Sequence, residues 1–476
     1  MAKHMNNNSQ SRNRNLFQVY LLTAIALAAL TGMSLAAFAA GSAEEEMLEL
    51  LREDRPFTSI PQDLFDRLGW DLPDSGAQVK ALADAAPGSA FDPRKLETLD
   101  ADKLGYRAKW HEVRYKLYGL DWDIGGLHLI PNDPLPGAPT VAIIHGGSAN
   151  WYWFLMTPLN EPGLAQYLAQ KVPVLLITIP GNYKHGGWTG TSYGERVPAY
   201  LLDRELSPEE GKIRNAIYTF RLVAEGVRQL VEKTTSGTVL LVGHSTGGEI
   251  RFMLEESSLK ARMAGLSLGW ASGGPAQLHT MGDDAEEVRA QLKERFQESL
   301  PVWQLRARHP ATYSHYIGPL NPVEGDTHEE VAHNLFRLIG RWRPFFKQTL
   351  QDLEHTGADI YRDRTANQIV QALEGNRFGI DPNEVIQDLF STMRSPLTGY
   401  RKMIWTVGRD DDGHWSADDP MQSRELRFAD IFRRQNPNIP VRVAVFDLPM
   451  THIGHIEKPR QLAGGLVTAV RWLMEP

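Results

Sequence analysis

The chain has 476 residues, 42% of them hydrophobic and 23% charged, with a formal net charge of −8 and no cysteine. That size allows one large domain with an embellishment, or two domains. The acidic balance leaves no basic surplus for nucleic acid, and the missing cysteine excludes disulfides, thiolate metal sites, a cysteine nucleophile and a lipidated N-terminal cysteine.

At the N-terminus, Arg12 and Arg14 precede a long uncharged stretch whose centre runs from Tyr20 to Leu30 and which reaches small residues at Ala37-Phe38-Ala39. The pattern predicts a signal peptide over residues 1–39. The alternative is an uncleaved inner-membrane anchor over residues 16–40, since the apolar stretch is long enough to span a bilayer. Cleavage would remove Lys3, Arg12 and Arg14 and no acid. The remainder would be a more acidic chain, periplasmic or secreted, with no stable membrane insertion. Residues 40–108 read as an N-terminal extension packed on the core. Within it Glu44 to Arg52 suits a short amphipathic helix, and Pro, Gly and Asp punctuation after it predicts irregular structure with no activity of its own.

From His111 onward strands are expected in regular order. Val113 to Tyr118 and Leu127 to Ile130, flanking Trp122-Asp123-Ile124-Gly125-Gly126, predict an antiparallel hairpin. Val141 to Ile144, Val174 to Ile179, Val239 to Val242, Leu266 to Leu268, Met403 to Val407 and Val443 to Phe446 are mostly continuous apolar runs. Such runs suit strands buried on both faces of a parallel sheet. Residues 213–233 carry the clearest helical period, with Ile217, Phe220, Val223, Val227 and Leu230 on one stripe. The expected fold is therefore α/β, an eight-stranded, mostly parallel, doubly wound sheet. Its two core segments are residues 109–275 and 398–476. Residues 276–397 are too long for one crossover and hold several helix-like segments.

The chemistry concentrates where strands end. The run from Val239 closes in Gly243-His244-Ser245-Thr246-Gly247, a strand entering a tight turn with serine at its apex. The flanking glycines let strand and helix pass closely. The run from Val141 closes in His145-Gly146-Gly147. The strand from Met403 enters Arg409-Asp410-Asp411-Asp412, and the last strand leads to a loop with His452 and His455. A hydroxyl is inert until a base takes its proton, and an imidazole titrates near working pH.

Serine, then aspartate, then histidine is the order of the α/β-hydrolase superfamily, which this chain resembles over roughly residues 110–475. The resemblance implies a catalytic triad of Ser245, His452 and Asp411. His452 fits the superfamily's tail spacing to Glu457 and Pro459, with His455 as the competitor. Asp411 stands at the usual offset from Gly408, with Asp410 and Asp412 as alternatives. An oxyanion hole would use the backbone N–H groups of Gly147 and Thr246. Residues 276–397 would form a helical cap whose Trp303, Phe336, Trp342, Phe345 and Phe346 either line a pocket or pack the cap together. Trp151, Tyr152, Trp153 and Trp270 are candidates for the substrate pocket, favouring a bulky, aromatic or hydrophobic ester. No metal or organic cofactor is implied, and the calcium-loop reading of residues 410–413 lacks the ligand spacing. The rival functions are amide, peptide or lactone hydrolysis by the same triad, or a non-catalytic binding protein on the same fold.

Overall fold

The computed structural model describes residues 43–73, 76–85, 91–145, 151–157, 161–178, 207, 209–210, 213–214, 217, 220–244, 247–254, 258–271, 370, 373–385, 400–411, 414–450, 452 and 454–476. The expected signal peptide, nearly all of the expected cap with its aromatic residues, and Gly147, Ser245, Thr246 and Asp412 lie outside them. No helix among the described residues is long and apolar enough to cross a membrane.

Nine strands join in one sheet: β1 Thr58–Ile60, β2 Tyr106–Leu117, β3 Leu120–Pro131, β4 Thr140–Ile144, β5 Val174–Thr178, β6 Val239–His244, β7 Leu266–Trp270, β8 Lys402–Gly408 and β9 Val441–Phe446. Their order is β1-β9-β8-β7-β6-β4-β5-β3-β2. The β2–β3 and β3–β5 pairs are antiparallel and the rest are parallel. All eight expected strands are present. The ninth, β1, comes from the N-terminal extension, which pairs with β9 at the sheet edge and covers what would otherwise be an open row of backbone groups. The extension is thus more regular than its composition suggests, with helices over 43–52, Gln62–Leu68 and Gly76–Ala85.

Continuous apolar strands arise because both faces are covered. On β4, Val141 and Ile143 join one core cluster, while Ala142 and Ile144 join another across the sheet. β6 divides in the same way, Leu240 and Val242 against Val239 and Leu241. The Pro459–Met474 helix packs on the first face, and the Phe220–Thr234 helix on the second.

The hairpin differs from the expected one. Trp122 to Gly126 lie inside β3, and the turn is Tyr118-Gly119, with φ of 52° and 71°. Positive φ at both central residues is the type I′ geometry that matches the twist of its strands. Gly125 belongs in the strand for a packing reason, because a Cβ there would come within 3.0 Å of the Trp110 ring.

One buried histidine on β3 makes stability depend on pH. Burial, aided by the nearby His111 and Lys109, lowers His128 from 6.5 to about 4. The folded value lies below the unfolded one, so the stabilisation is complete above pH 6.5 and is lost as pH falls towards 4. Denaturant melts at each pH should show an acid loss about 3 kcal/mol smaller in His128→Gln than in the parent. Equal acid losses in the two proteins would disprove this.

Candidate active site

The carboxyl ends of β4, β6, β7, β8 and β9 lie side by side. His244 is paired in register with Trp270, Trp270 with Thr406, and Gly408 with Phe446. This is the edge where ligands bind in open α/β sheets. β6 ends at His244 and the next helix, Gly247–Met253, begins three residues later. Only Ser245 and Thr246 stand between them. The glycines on either side are required by contact. A Cβ on Gly243 would come within 3.0 Å of the Gly247 and Gly248 backbone, and one on Gly247 within 3.0 Å of the Ile144 carbonyl.

β8 ends at Gly408 and the chain turns through Arg409 and Asp410 to Asp411. Asp410 is exposed and paired with Arg409 at 2.9 Å. Asp411 is buried, and its Oδ2 lies 3.1 Å from Nδ1 of His452. Burial alone would raise the Asp411 carboxyl. The positive character of His414 and His452, with the hydrogen bond from His452, outweighs burial and holds it below the ordinary carboxylate range.

His452 lies on the loop after β9. That loop crosses the end of β8: the Asp410 N–H donates to the Met450 carbonyl at 3.2 Å, and a Cβ on Gly408 would come within 3.0 Å of the same carbonyl. The His452 carbonyl lies 2.8 Å from Nε2 of His244, so the loop is fastened to the residue directly before Ser245. His455 is placed differently. It is fully buried in the Gly454–Glu457 helix, its ring stacked on Phe154 with centroids 4.2 Å apart and planes 10° from parallel. Burial first, then the neighbouring histidines, push its pKa well below 6.5, and the same holds for His244.

A second acid–imidazole pair adjoins the first. His414 Nδ1 lies 2.5 Å from Glu425 Oε1, and both residues are buried. The His414 ring stacks on His452 with centroids 4.7 Å apart and planes 18° from parallel. Sequence reasoning missed this pair. His414 follows the acid loop closely, but nothing in the spacing links it to Glu425 on the Arg424–Gln435 helix. Asp411, His414 and His452 are also the group, among the described residues, whose donor atoms could hold a metal ion.

The aromatic residues expected at the pocket are all buried. Trp151, Tyr152, Trp153 and Trp270 are each at most 2% exposed. Trp151 and Tyr152 pack against Phe91 of the N-terminal extension, and Trp151 also against Trp110 of β2. Trp270 sits between His244, Phe154 and His455. The short Trp151–Leu155 helix faces two buried surfaces, one built by the extension and one by the site loop, so its successive aromatic residues all find cover.

No curated protein matches the chain in sequence. Solved structures give distant likenesses. Haloalkane dehalogenase DbeA from Bradyrhizobium elkani is 13% identical, over 77% of this chain and 99% of that one, with a TM-score of 0.39. A membrane phospholipase A, a bacterial virulence factor, is 14% identical over 84% and 93%, with a TM-score of 0.39. A probable hydrolytic enzyme from Pseudomonas aeruginosa is 14% identical over 76% and 94%, again with a TM-score of 0.39. Likeness at this level carries nothing about chemistry. The model of the alpha/beta hydrolase family matches residues 141–463, which is more than half of the chain and includes the carboxyl ends of β4, β6, β7, β8 and β9. The chain therefore belongs to the alpha/beta hydrolase family, and hydrolysis is its class of chemistry.

Proposed function

We propose that the chain is an exported serine hydrolase that cleaves a carboxylic ester through an acyl-enzyme. Ser245 attacks the carbonyl carbon, and His452 takes the serine proton and returns it to the leaving alcohol. Asp411 keeps the imidazole in the correct tautomer and stabilises the imidazolium. Water then attacks the acyl-enzyme, again with His452 as base, and releases the acid. The backbone N–H groups of Thr246 and Gly147 are assigned to the developing oxyanion, each worth about 3 kcal/mol in the transition state.

The observation that carries this reading is the buried contact of 3.1 Å between His452 Nδ1 and Asp411 Oδ2, on a loop tied to His244 beside Ser245. An imidazole whose Nδ1 donates to a carboxylate presents Nε2 as the acceptor, which is what a serine needs. The close approach at Gly243 and Gly247 supports the sharp turn that an exposed nucleophile requires. Export is supported by the charged, apolar and small-residue order of residues 1–39.

A fluorophosphonate probe should label the protein purified from its expressing host, and Ser245→Ala should abolish both labelling and the burst of product from a short aryl ester. The intact mass in the same experiment should place the first residue at Ala40. An unlabelled parent with no esterase burst would overturn the catalytic reading, and retention of residues 1–39 would overturn export.

A further inference from the structure

The proposed mechanism uses Asp411 and His452 but leaves His414 and Glu425 without a task. Asp411, His414 and His452 each bring a donor atom within 4.8 Å of the others, and all three residues are buried. Asp411 Oδ2 and His452 Nδ1 stand 3.1 Å apart. Ligand atoms in a tetrahedral zinc site are separated by about 3.3 Å, so the three donors need draw together by only about 1.5 Å at most. Two imidazoles and one carboxylate form a donor set suited to zinc and its neighbours, with one position left open. Magnesium and calcium prefer all-oxygen sites.

Glu425 supplies the second observation. It is fully buried and holds His414 through Nδ1 at 2.5 Å. A carboxylate on one imidazole nitrogen fixes the tautomer and raises the basicity of the other, which is the usual support behind a metal-bound histidine. Two buried carboxylates beside stacked imidazoles also call for positive charge, and a divalent cation supplies it.

We propose that Asp411, His414 and His452 bind one divalent transition-metal ion of the zinc class, and that the bound ion switches the hydrolase off. The inhibitory half rests on the reading of His452 as the general base. Ligation through either nitrogen disables that base: through Nδ1 it breaks the bond to Asp411, and through Nε2 it removes the acceptor for the serine proton. Glu425 orients His414 and does not touch the ion.

The test uses zinc chloride as the probe. Calorimetric titration of full-length Ser245→Ala, which keeps every donor, should show one site with a Kd of about 10 μM or tighter. Magnesium and calcium should give no binding heat. In the parent, zinc should lower aryl ester hydrolysis at least tenfold, and EDTA should restore it. His414→Phe should raise the zinc concentration for half-inhibition by about 100-fold, and Glu425→Gln by about tenfold, each measured against its own metal-free rate. Thermal melts identify any variant that fails to fold, and the other variant then decides. No binding up to about 1 mM zinc, or folded His414→Phe titrating like the parent, overturns the site. A parent that hydrolyses ester but ignores zinc sinks this proposal and leaves the triad standing. A chain that binds zinc but hydrolyses nothing even in EDTA sinks the triad, and with it the inhibitory role.

Discussion

Asp411→Asn is expected to lower kcat for ester hydrolysis by about 10³–10⁴-fold, while Asp410→Asn changes it by less than about twofold. The two side chains are one residue apart and chemically identical, so the contrast tests geometry alone. Asp411 is 2% exposed and meets His452 Nδ1. An asparagine fits the same space but offers an N–H where the carboxylate offered a lone pair. The imidazole then accepts at Nδ1 and carries its proton on Nε2, where it cannot take one from Ser245. The Asp410 side chain is solvent-facing and pairs with Arg409, an ion pair worth little in water. Because the proposed loss lies in the transition state, kcat and kcat/KM should fall together with little change in KM. Steady-state kinetics on one aryl ester measures all of this. A severe loss in Asp410→Asn with a mild one in Asp411→Asn would reverse the assignment.

Gly247→Ala is expected to remove about 3 kcal/mol or more of stability, and soluble yield with it. The new methyl would press on the Ile144 carbonyl, within 3.0 Å, and crowd the His145 carbonyl. Both are backbone atoms at the end of a central strand and have no rotamer by which to yield. Relief requires the Gly247–Met253 helix to move away from β4. That motion would drag the residues between His244 and Gly247 with it, so any folded fraction should also be slow. Gly137→Ala is the control, since nothing lies within 4 Å of a Cβ there, although its φ of +71° adds local strain. Chemical melts of the two variants provide the comparison, and a Gly247→Ala protein as stable as the control would disprove close packing at the turn.

Much of this molecule is legible in one dimension because its strands are buried on both faces. Val141 to Ile144 and Val239 to Val242 have no polar alternation to confuse with a helix stripe, and each is bounded by a glycine turn. The Gly243 to Gly247 motif is similarly local, since strand, glycines and helix are neighbours in sequence. The hairpin departs from the expected one at Trp122 to Gly126 because two glycines in a row mimic a turn. Their cause is a neighbour on another strand, Trp110, and two leucines of other elements.

The same division separates the site residues. Order and offset along the chain single out Asp411 and His452, and the two side chains meet because each lies beyond the carboxyl end of one of two adjacent strands, β8 and β9. Trp151, Tyr152 and Trp153 stand with Phe154 in a run of four aromatic residues, more than a single core face covers, and Trp270 stands at a strand's carboxyl end, which is why a pocket is the expectation for them. The cover is Phe91, from an extension that looked irregular, together with the stacked pair Phe154 and His455. His414 and Glu425 meet only because the Arg424–Gln435 helix folds back over the acid loop.

From sequence alone come the strand identities, the glycine-bounded serine and the ordering of acid before base, since each depends on periodicity or on backbone freedom between adjacent residues. Folding in three dimensions decided which aromatic faces met cover, that the extension would complete the sheet edge, and that a second imidazole would stack on the first. Those outcomes depend on segments tens to hundreds of residues apart arriving at one place, and no local pattern carries that information.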